Sequence, residues 1–210
     1  MARTPKARQA KPPSDLLDAA LALIAEKGWT PFRLHELAKA AGVSAAEVYR
    51  VFPERSAVLA ACLERLFTRM LEAEPVAEEG AVRDRVFDGA MQLFDAALPE
   101  RDAIRVIVRE ASREPLSVLA LRPQASRIAS FILEQAGVSA EGFAGLFRVA
   151  GLIGILAQTL QVWIDDGDDQ ARTMAALDKG LRRAEGLMLR LRRTPAVPDQ
   201  PAPEESDTVH

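Results

Sequence analysis

Arg33 to Phe52, RLHELAKAAGVSAAEVYRVF, decides how the rest of this 210-residue chain is read. Leu34, Leu37, Ala38 and Ala41 recur at helical spacing and share one face. Val48, Val51 and Phe52 do the same in the second half of the stretch. Between them Gly42 stands where the chain must turn sharply, a position that suits a residue able to take positive φ. Ser44 is the expected N-cap of the helix that follows. The pattern is two short helices joined by a tight turn, a helix-turn-helix, whose second helix is the one that enters the major groove of DNA.

Working outward, Leu17, Ala20, Leu21 and Ile24 form the apolar stripe of a preceding helix, capped by Ser14 or Asp15 and stopped at Gly28. Trp29 and Phe32 are expected to plug the gap between that helix and the next two. Downstream, Pro53 breaks the chain, and a fourth helix from about Glu54 to Glu72 turns Leu59, Leu63, Leu66 and Met70 inward. A short hinge at Pro75, Glu78, Glu79 and Gly80 separates this part from a longer helical remainder. There Val82, Val86, Ala90, Leu93 and Ala97 mark a fifth helix, and Ile104, Ile107, Val108 and Ala111 the inside of a sixth. A seventh segment starts at Pro115, is broken or kinked by Pro123 near Leu121, and ends at Gly137. Helix eight runs from a Ser139 cap to about Asp166, DDGDD (165–169) is a loop, and helix nine spans roughly Gln170 to Arg193. No strand pattern is present, so the fold class is all-α with about nine helices.

Composition narrows the function classes. Apolar residues make up 49 %, enough for a real core. The single cysteine, Cys62, excludes an intrachain disulfide and suits a reducing, cytoplasmic setting. No apolar run follows the basic start, so no signal peptide is expected. The longest apolar run, Phe143 to Ile164, is interrupted by Arg148, Gln158 and Gln161 and reads as a buried helix, not a membrane span. Residues 1–56 carry nine Lys/Arg against six Asp/Glu, while the whole chain carries a net charge of −3. A basic arm (1–13, with Arg3, Lys6, Arg8 and Lys11) ahead of an acidic body suggests a phosphate-facing end. The Pro-rich, acidic stretch 194–210 is expected to be disordered.

Residues 14–72 resemble the DNA-binding domain of the TetR family of bacterial repressors. The resemblance rests on Leu37-Ala38, Ala41-Gly42-Val43-Ser44, Tyr49, Phe52, Pro53 and Arg55, in that order over about sixty residues. It implies an N-terminal helix-turn-helix domain and a C-terminal ligand-binding and dimerisation domain (80–193), a homodimer packed through helices eight and nine, and double-stranded DNA as partner. It also implies that Tyr49 and Arg55 contact phosphates, with Arg33 in place of the usual Thr that opens the second helix. Two positions depart from the family: Glu47 replaces a Ser or Thr, and Val51 a common His. Ala45 and Ala46 can touch a thymine methyl but cannot donate to a base edge, which leaves Tyr49 and Arg50 as the long-reaching side chains beside the Ser44 cap.

A second resemblance covers residues 161–188, whose aromatic-apolar helix end, acidic loop and Thr-Met-Ala-x-Leu-Asp are similar to a lipid-binding family of ubiquinone biosynthesis that reuses the TetR fold. It implies a lipid-binding accessory protein whose basic, apolar-faced helix end, LRRAEGLMLRLRR (181–193), meets a membrane surface. Against that, Met174, Leu177, Leu181, Ala184, Met188 and Leu191 alternate by three and four, as a packing seam does. The seam is the favoured reading. No catalytic constellation, metal-ligand set or cofactor motif is found: His35 and His210 are far apart, and Cys62 sits on an apolar stripe. The expectation is a non-enzyme with a small apolar effector. Phe87, Met91, Phe94, Ile104, Val108, Phe131 and Phe147 are the candidate pocket liners, with Gln158 as a polar contact. Arg101, Arg105 and Arg109 form a row on the sixth helix, of which Arg109 is the candidate to reach an anionic ligand. Gly142, Gly145, Gly151 and Gly154 are read as close-approach positions on helix eight.

Overall fold

The computed structural model describes residues 12–111 and 119–193. Residues 1–11, the expected start of the seventh segment at Pro115 and the 194–210 stretch lie outside them. Among the described residues every regular element is helical. The N-terminal part comprises α1 (Pro13–Lys27), α2 (Leu34–Ala41), α3 (Ala45–Val51) and α4 (Arg55–Glu72). After a loop come α5 (Val82–Ala97), a single 3-10 turn (Leu98–Glu100) and α6 (Arg101–Ala111). They are followed by α7 (Arg122–Gln135), α8 (Gly142–Trp163) and α9 (Ala171–Arg193).

Two apolar cores share this framework. Leu16, Leu17, Leu21, Ile24, Trp29, Phe32, Leu37, Val48, Phe52, Val58 and Leu59 close the first. Phe67, Met70, Phe94, Ile132, Leu152, Trp163 and Leu177 belong to the second. α4 serves both, with Val58, Leu59 and Cys62 in one and Leu66, Phe67 and Met70 in the other. α6 does the same within one turn, since Ala103 is buried in the first core and Ile104 in the second. A buried acid ties the halves together. Glu100, 7 % exposed, accepts from Arg69 Nη2 at 2.8 Å and Arg65 Nη1 at 3.3 Å. Arg65 also bonds Asp18 on α1. The hydrogen bonds that Arg69 donates to Glu100 favour its charged form and raise the guanidinium pKa above its ordinary value.

Several expected details need correction. α1 begins at Pro13, with Pro12 in the cap position and no side-chain cap, because proline at the first helical position presets φ and has no amide to leave unpaired. Neither Ser14 nor Asp15 caps it. Ser139 does not cap α8 either. Its hydroxyl accepts from the Glu141 amide at 3.2 Å, making a tight turn ahead of the helix, and Glu141 takes the cap position. That turn folds back on Gly145, where a Cβ would lie 2.2 Å from the Ala140 carbonyl. Val82 is 46 % exposed at the start of α5, and Phe94 takes the inward place. Pro123 does break the chain near Leu121, which forms the turn before α7.

The largest difference concerns α8. It is long and apolar enough to cross a membrane by length and composition, with a mean hydropathy of 1.6, yet only 22 % of its most apolar window is buried. Gly145, Val149, Leu152, Leu156, Thr159 and Trp163 form a buried stripe at helical spacing. Phe143, Leu146 and Phe147 stand out on the other side, 79, 63 and 62 % exposed. The expected buried helix is therefore buried along one stripe, where α9 and α7 pack along it.

Candidate nucleic-acid interface

The helix-turn-helix is set by its turn. Gly42 adopts φ 69°, ψ 28°, the left-handed conformation that glycine takes without steric cost. Its amide donates to Lys39 and Ala38, and the Val43 amide donates to Ala38 at 3.0 Å. The Ser44 hydroxyl then accepts from the Glu47 amide at 3.2 Å and caps α3. Val48 is fully buried and anchors α3 against the core. Ala45, Ala46, Tyr49 and Arg50 remain on its open side, Tyr49 at 50 % exposure. Glu47 is half-buried, and His35 on α2 is exposed. The outer face of α3 thus presents two methyl groups, one phenol and one guanidinium, with a carboxylate at its flank.

The two other arginines expected at phosphates are occupied differently. Arg33 Nη1 donates to the carbonyls of Thr30 at 2.7 Å and Phe32 at 2.9 Å. Arg55 Nη1 reaches the carbonyls of Thr30 at 3.1 Å and Trp29 at 3.3 Å, and its guanidinium lies 4.5 Å from the centre of the Trp29 ring. Trp29 is 1 % exposed and stacked on Phe32 with ring centres 6.0 Å apart. The expected aromatic plug is present, and Arg55 covers it. A flat guanidinium can stack on indole and serve several carbonyls at once, which an ammonium cannot. Sequence reasoning gave Arg55 a charge role alone, because its loop partners lie 25 and 26 residues away.

In the C-terminal part, Phe94 and Ile104 are buried in the core, and Phe87, Met91, Val108 and Phe131 pack against it half-buried. These six candidate pocket residues come together; Phe147 and Gln158 lie apart, on the open side of α8. Arg109 donates to Asp165 at 2.6 Å, so its anionic partner within the chain is that carboxylate. Arg109 is itself exposed, but the other two members of the row are partly buried. Arg105 Nε donates to the Ile164 carbonyl at 2.6 Å, and Arg101 Nη2 to the carbonyls of Trp163 and Asp166 at 2.7 and 2.6 Å. Three successive turns of α6 hold the carbonyl-rich end of α8, the end a helix leaves electronegative. Among the glycines of α8, Gly145 is crowded by the Ala140 backbone of its own chain, whereas Gly142, Gly151 and Gly154 have nothing within 4 Å of a would-be Cβ.

Two further residues escaped sequence reasoning. Gln170 takes φ 52°, accepts from Trp163 Nε1 at 3.1 Å and donates to Asp95 at 2.6 Å, pinning the loop between α8 and α9 to α5. Asp166 accepts from the amide and hydroxyl of Thr173 at 2.6 and 2.7 Å. Slight burial opposes ionisation of Asp166, but the bonds from Thr173 and Gly167 outweigh it and hold the carboxyl below its usual range. Among the described residues no cluster of His, Cys, Asp and Glu could hold a metal ion.

Residues 16–62 match the family model for bacterial regulatory proteins of the tetR family. A search of curated proteins returned no match. Among solved structures, the chain is similar to a TetR transcriptional regulator from Nitrosomonas europaea, at 22 % identity and a TM-score of 0.63, over 83 % of this chain and 98 % of that one. It is also similar to a TetR regulator from Rhodococcus sp. RHA1, at 20 % identity and a TM-score of 0.56, over 85 % and 95 %. A third is the regulator FadR from Bacillus subtilis in complex with stearoyl-CoA, at 20 % identity and a TM-score of 0.54, over 80 % and 95 %. At these identities the structures show the fold, and the family model covers the helix-turn-helix built above. Residues 16–62 thus carry the helix-turn-helix unit of the tetR family of bacterial regulatory proteins, and the chain as a whole has the fold of these regulators.

Proposed function

We propose that this protein is a dimeric DNA-binding transcriptional regulator, a repressor that a small apolar ligand releases from its site. The observation that carries the reading is the Ser44-capped α3, anchored by Val48 and turning Ala45, Ala46, Tyr49 and Arg50 outward. Tyr49 and Arg50 are the groups that reach DNA, the phenol toward phosphate and the guanidinium toward phosphate or a base edge. Arg33 and Arg55 contribute by holding the loop that orients α2 and α4. Residues 14–72 form the DNA-reading part, and residues 80–193 bind ligand and dimerise.

The dimer face is the open side of α8 with α9. Phe143, Leu146, Phe147, Met174 and Met188 are large apolar side chains exposed there. Gly151 and Gly154 add no bulk, so a second helix can come close. A two-fold axis packs one patch on itself, so the patch must be self-complementary; an apolar face meets that need without charge repulsion. Two α3 helices would then read half-sites about one DNA turn apart, roughly 34 Å, or a multiple of it. For the ligand, the half-buried Phe87, Met91, Val108 and Phe131 supply an apolar lining. The stearoyl-CoA on the Bacillus subtilis regulator makes long-chain acyl compounds the first class to try.

Selection of binding sites from random oligonucleotides with the purified full chain tests the reading. A near-palindromic consensus, bound more weakly as salt rises, is expected. A folded dimer with no sequence preference at low salt would overturn it. The exposed Phe143 and Phe147 also favour a second reading, a lipid-binding protein on the same fold. In liposome flotation that reading requires the protein to float, with DNA selection failing.

A further inference from the structure

α6 is gripped at two places. Its arginine row holds the end of α8, as described, and its last turn holds the corner between α1 and α2. There Glu110 Oε2 accepts from the Thr30 amide at 2.6 Å. A charged acceptor at this distance makes a strong bond. The other carboxylate oxygen of Glu110 lies 3.0 Å from the position a Cβ on Gly28 would occupy, and Gly28 has φ 99°, so the corner is shaped for this carboxylate. From the other side, the Thr30 carbonyl is shared by Arg33, the residue just before α2, and Arg55, which opens α4. Thr30 therefore joins α6 to the starts of the two helices that flank α3 in sequence. Ala103 on α6, buried in the helix-turn-helix core, adds an apolar contact along the same seam.

We propose that Glu110 is a positioning residue for the recognition helix: through Thr30 it fixes the angle of the helix-turn-helix unit to the α6–α8 block. In a dimer built on α8 this bond sets the distance between the two α3 helices. The proposal rests on the DNA-binding dimer reading above and names the residue that transmits position within it. Movement of the α8 end would reach α3 along Arg101, Arg105 and Arg109, then α6, Glu110 and Thr30. Glu110→Ala removes the acceptor, whereas Glu110→Gln keeps an oxygen at the same reach and should preserve most of the hold.

Two measurements on the full-length protein test it. Amide hydrogen exchange needs no DNA: in Glu110→Ala the Thr30 amide should exchange at least about tenfold faster, with α1 core amides unchanged and Glu110→Gln close to wild type. Unchanged exchange at Thr30, or equal acceleration throughout α1 to α4, would overturn the proposal, the latter because Glu110 would then be a general stability residue. The second measurement compares the selected site with versions whose half-site spacing is altered by one base pair. Wild type should prefer the parent spacing, and Glu110→Ala should lose about fivefold of that preference, the scale of a modest coupling between sites. Preference equal to wild type overturns the positioning role. Absence of any preferred site in the wild type overturns the DNA reading instead, and the exchange result then judges the Glu110 contact alone.

Discussion

The helix-turn-helix unit and the α8 face treat their large apolar side chains in opposite ways. In the first, Trp29, Phe32, Leu37, Val48 and Val58 are each 1 % exposed or less. In the second, Phe143, Leu146 and Phe147 are all more than 60 % exposed. A small unit that finishes its core within one chain holds its shape unaided. A helix with one stripe buried and the other bare is finished by something outside the chain. Under the proposed function the difference assigns separate work: the first region would present a rigid reading surface, and the second would meet a partner.

That contrast can be broken at either end. The largest effect is expected from Phe143→Glu combined with Phe147→Glu. Two charges facing their own copies across an apolar interface should leave a folded monomer in sedimentation experiments, with the helical circular dichroism retained. A dimer as tight as wild type would show that α8 is not the mating face. Trp29→Ala should instead damage the closed unit, costing about 3–5 kcal/mol in chemical unfolding. Association should be spared at temperatures where the variant stays folded. Glu100→Ala tests the joint between the regions. It leaves Arg65 and Arg69 without their buried carboxylate and should cost about 3 kcal/mol, a little below the penalty of a wholly buried pair because Arg69 is partly exposed. Ser44→Ala removes the cap of α3 and should cost about 1 kcal/mol, with the loss seen as faster amide exchange at Glu47.

The smallest effect at neutral pH comes from Cys62. Burial, reinforced by the nearby Glu100 charge, pushes its thiol from 9.0 up to about 12, against the pull of Arg65 and Arg69. The thiol is ionised in the unfolded chain before it is in the folded one. Stability is therefore unaffected below about pH 9 and falls as pH rises from there toward 12. Comparing urea midpoints of wild type and Cys62→Ala across that window should show the alanine variant losing less.

Local signals in the sequence carried far. Gly42, Ser44, Gly28 and Pro123 act on their own backbone, so their turns, cap and stops were readable from position and chemistry. Trp29 and Phe32 were readable too, since two large aromatics at a helix junction have few places to go. What escaped was whatever depends on a partner distant along the chain. The four-residue spacing of Arg101, Arg105 and Arg109 was plain, but not that the end of α8, more than fifty residues on, would receive them. For Arg55 the sign of its charge was visible, and its stacking on Trp29 was not. On α8, hydrophobicity alone could not tell which side a neighbour would cover, so Phe147 and Gln158 were placed inside when they lie on the open side.

Gly180 bears on how fast the two copies of the proposed dimer can meet. A Cβ there would sit 2.8 Å from Ile155 Cγ2, so α9 lies close against α8 at this point, while the arginines of α6 hold the C-terminal end of α8. The exposed face is thus built before any partner arrives. Little chain ordering remains to be done at encounter, so association should run at the ordinary rate of two preformed patches, about 10⁵–10⁷ M⁻¹ s⁻¹, with no slow folding step to hold it back.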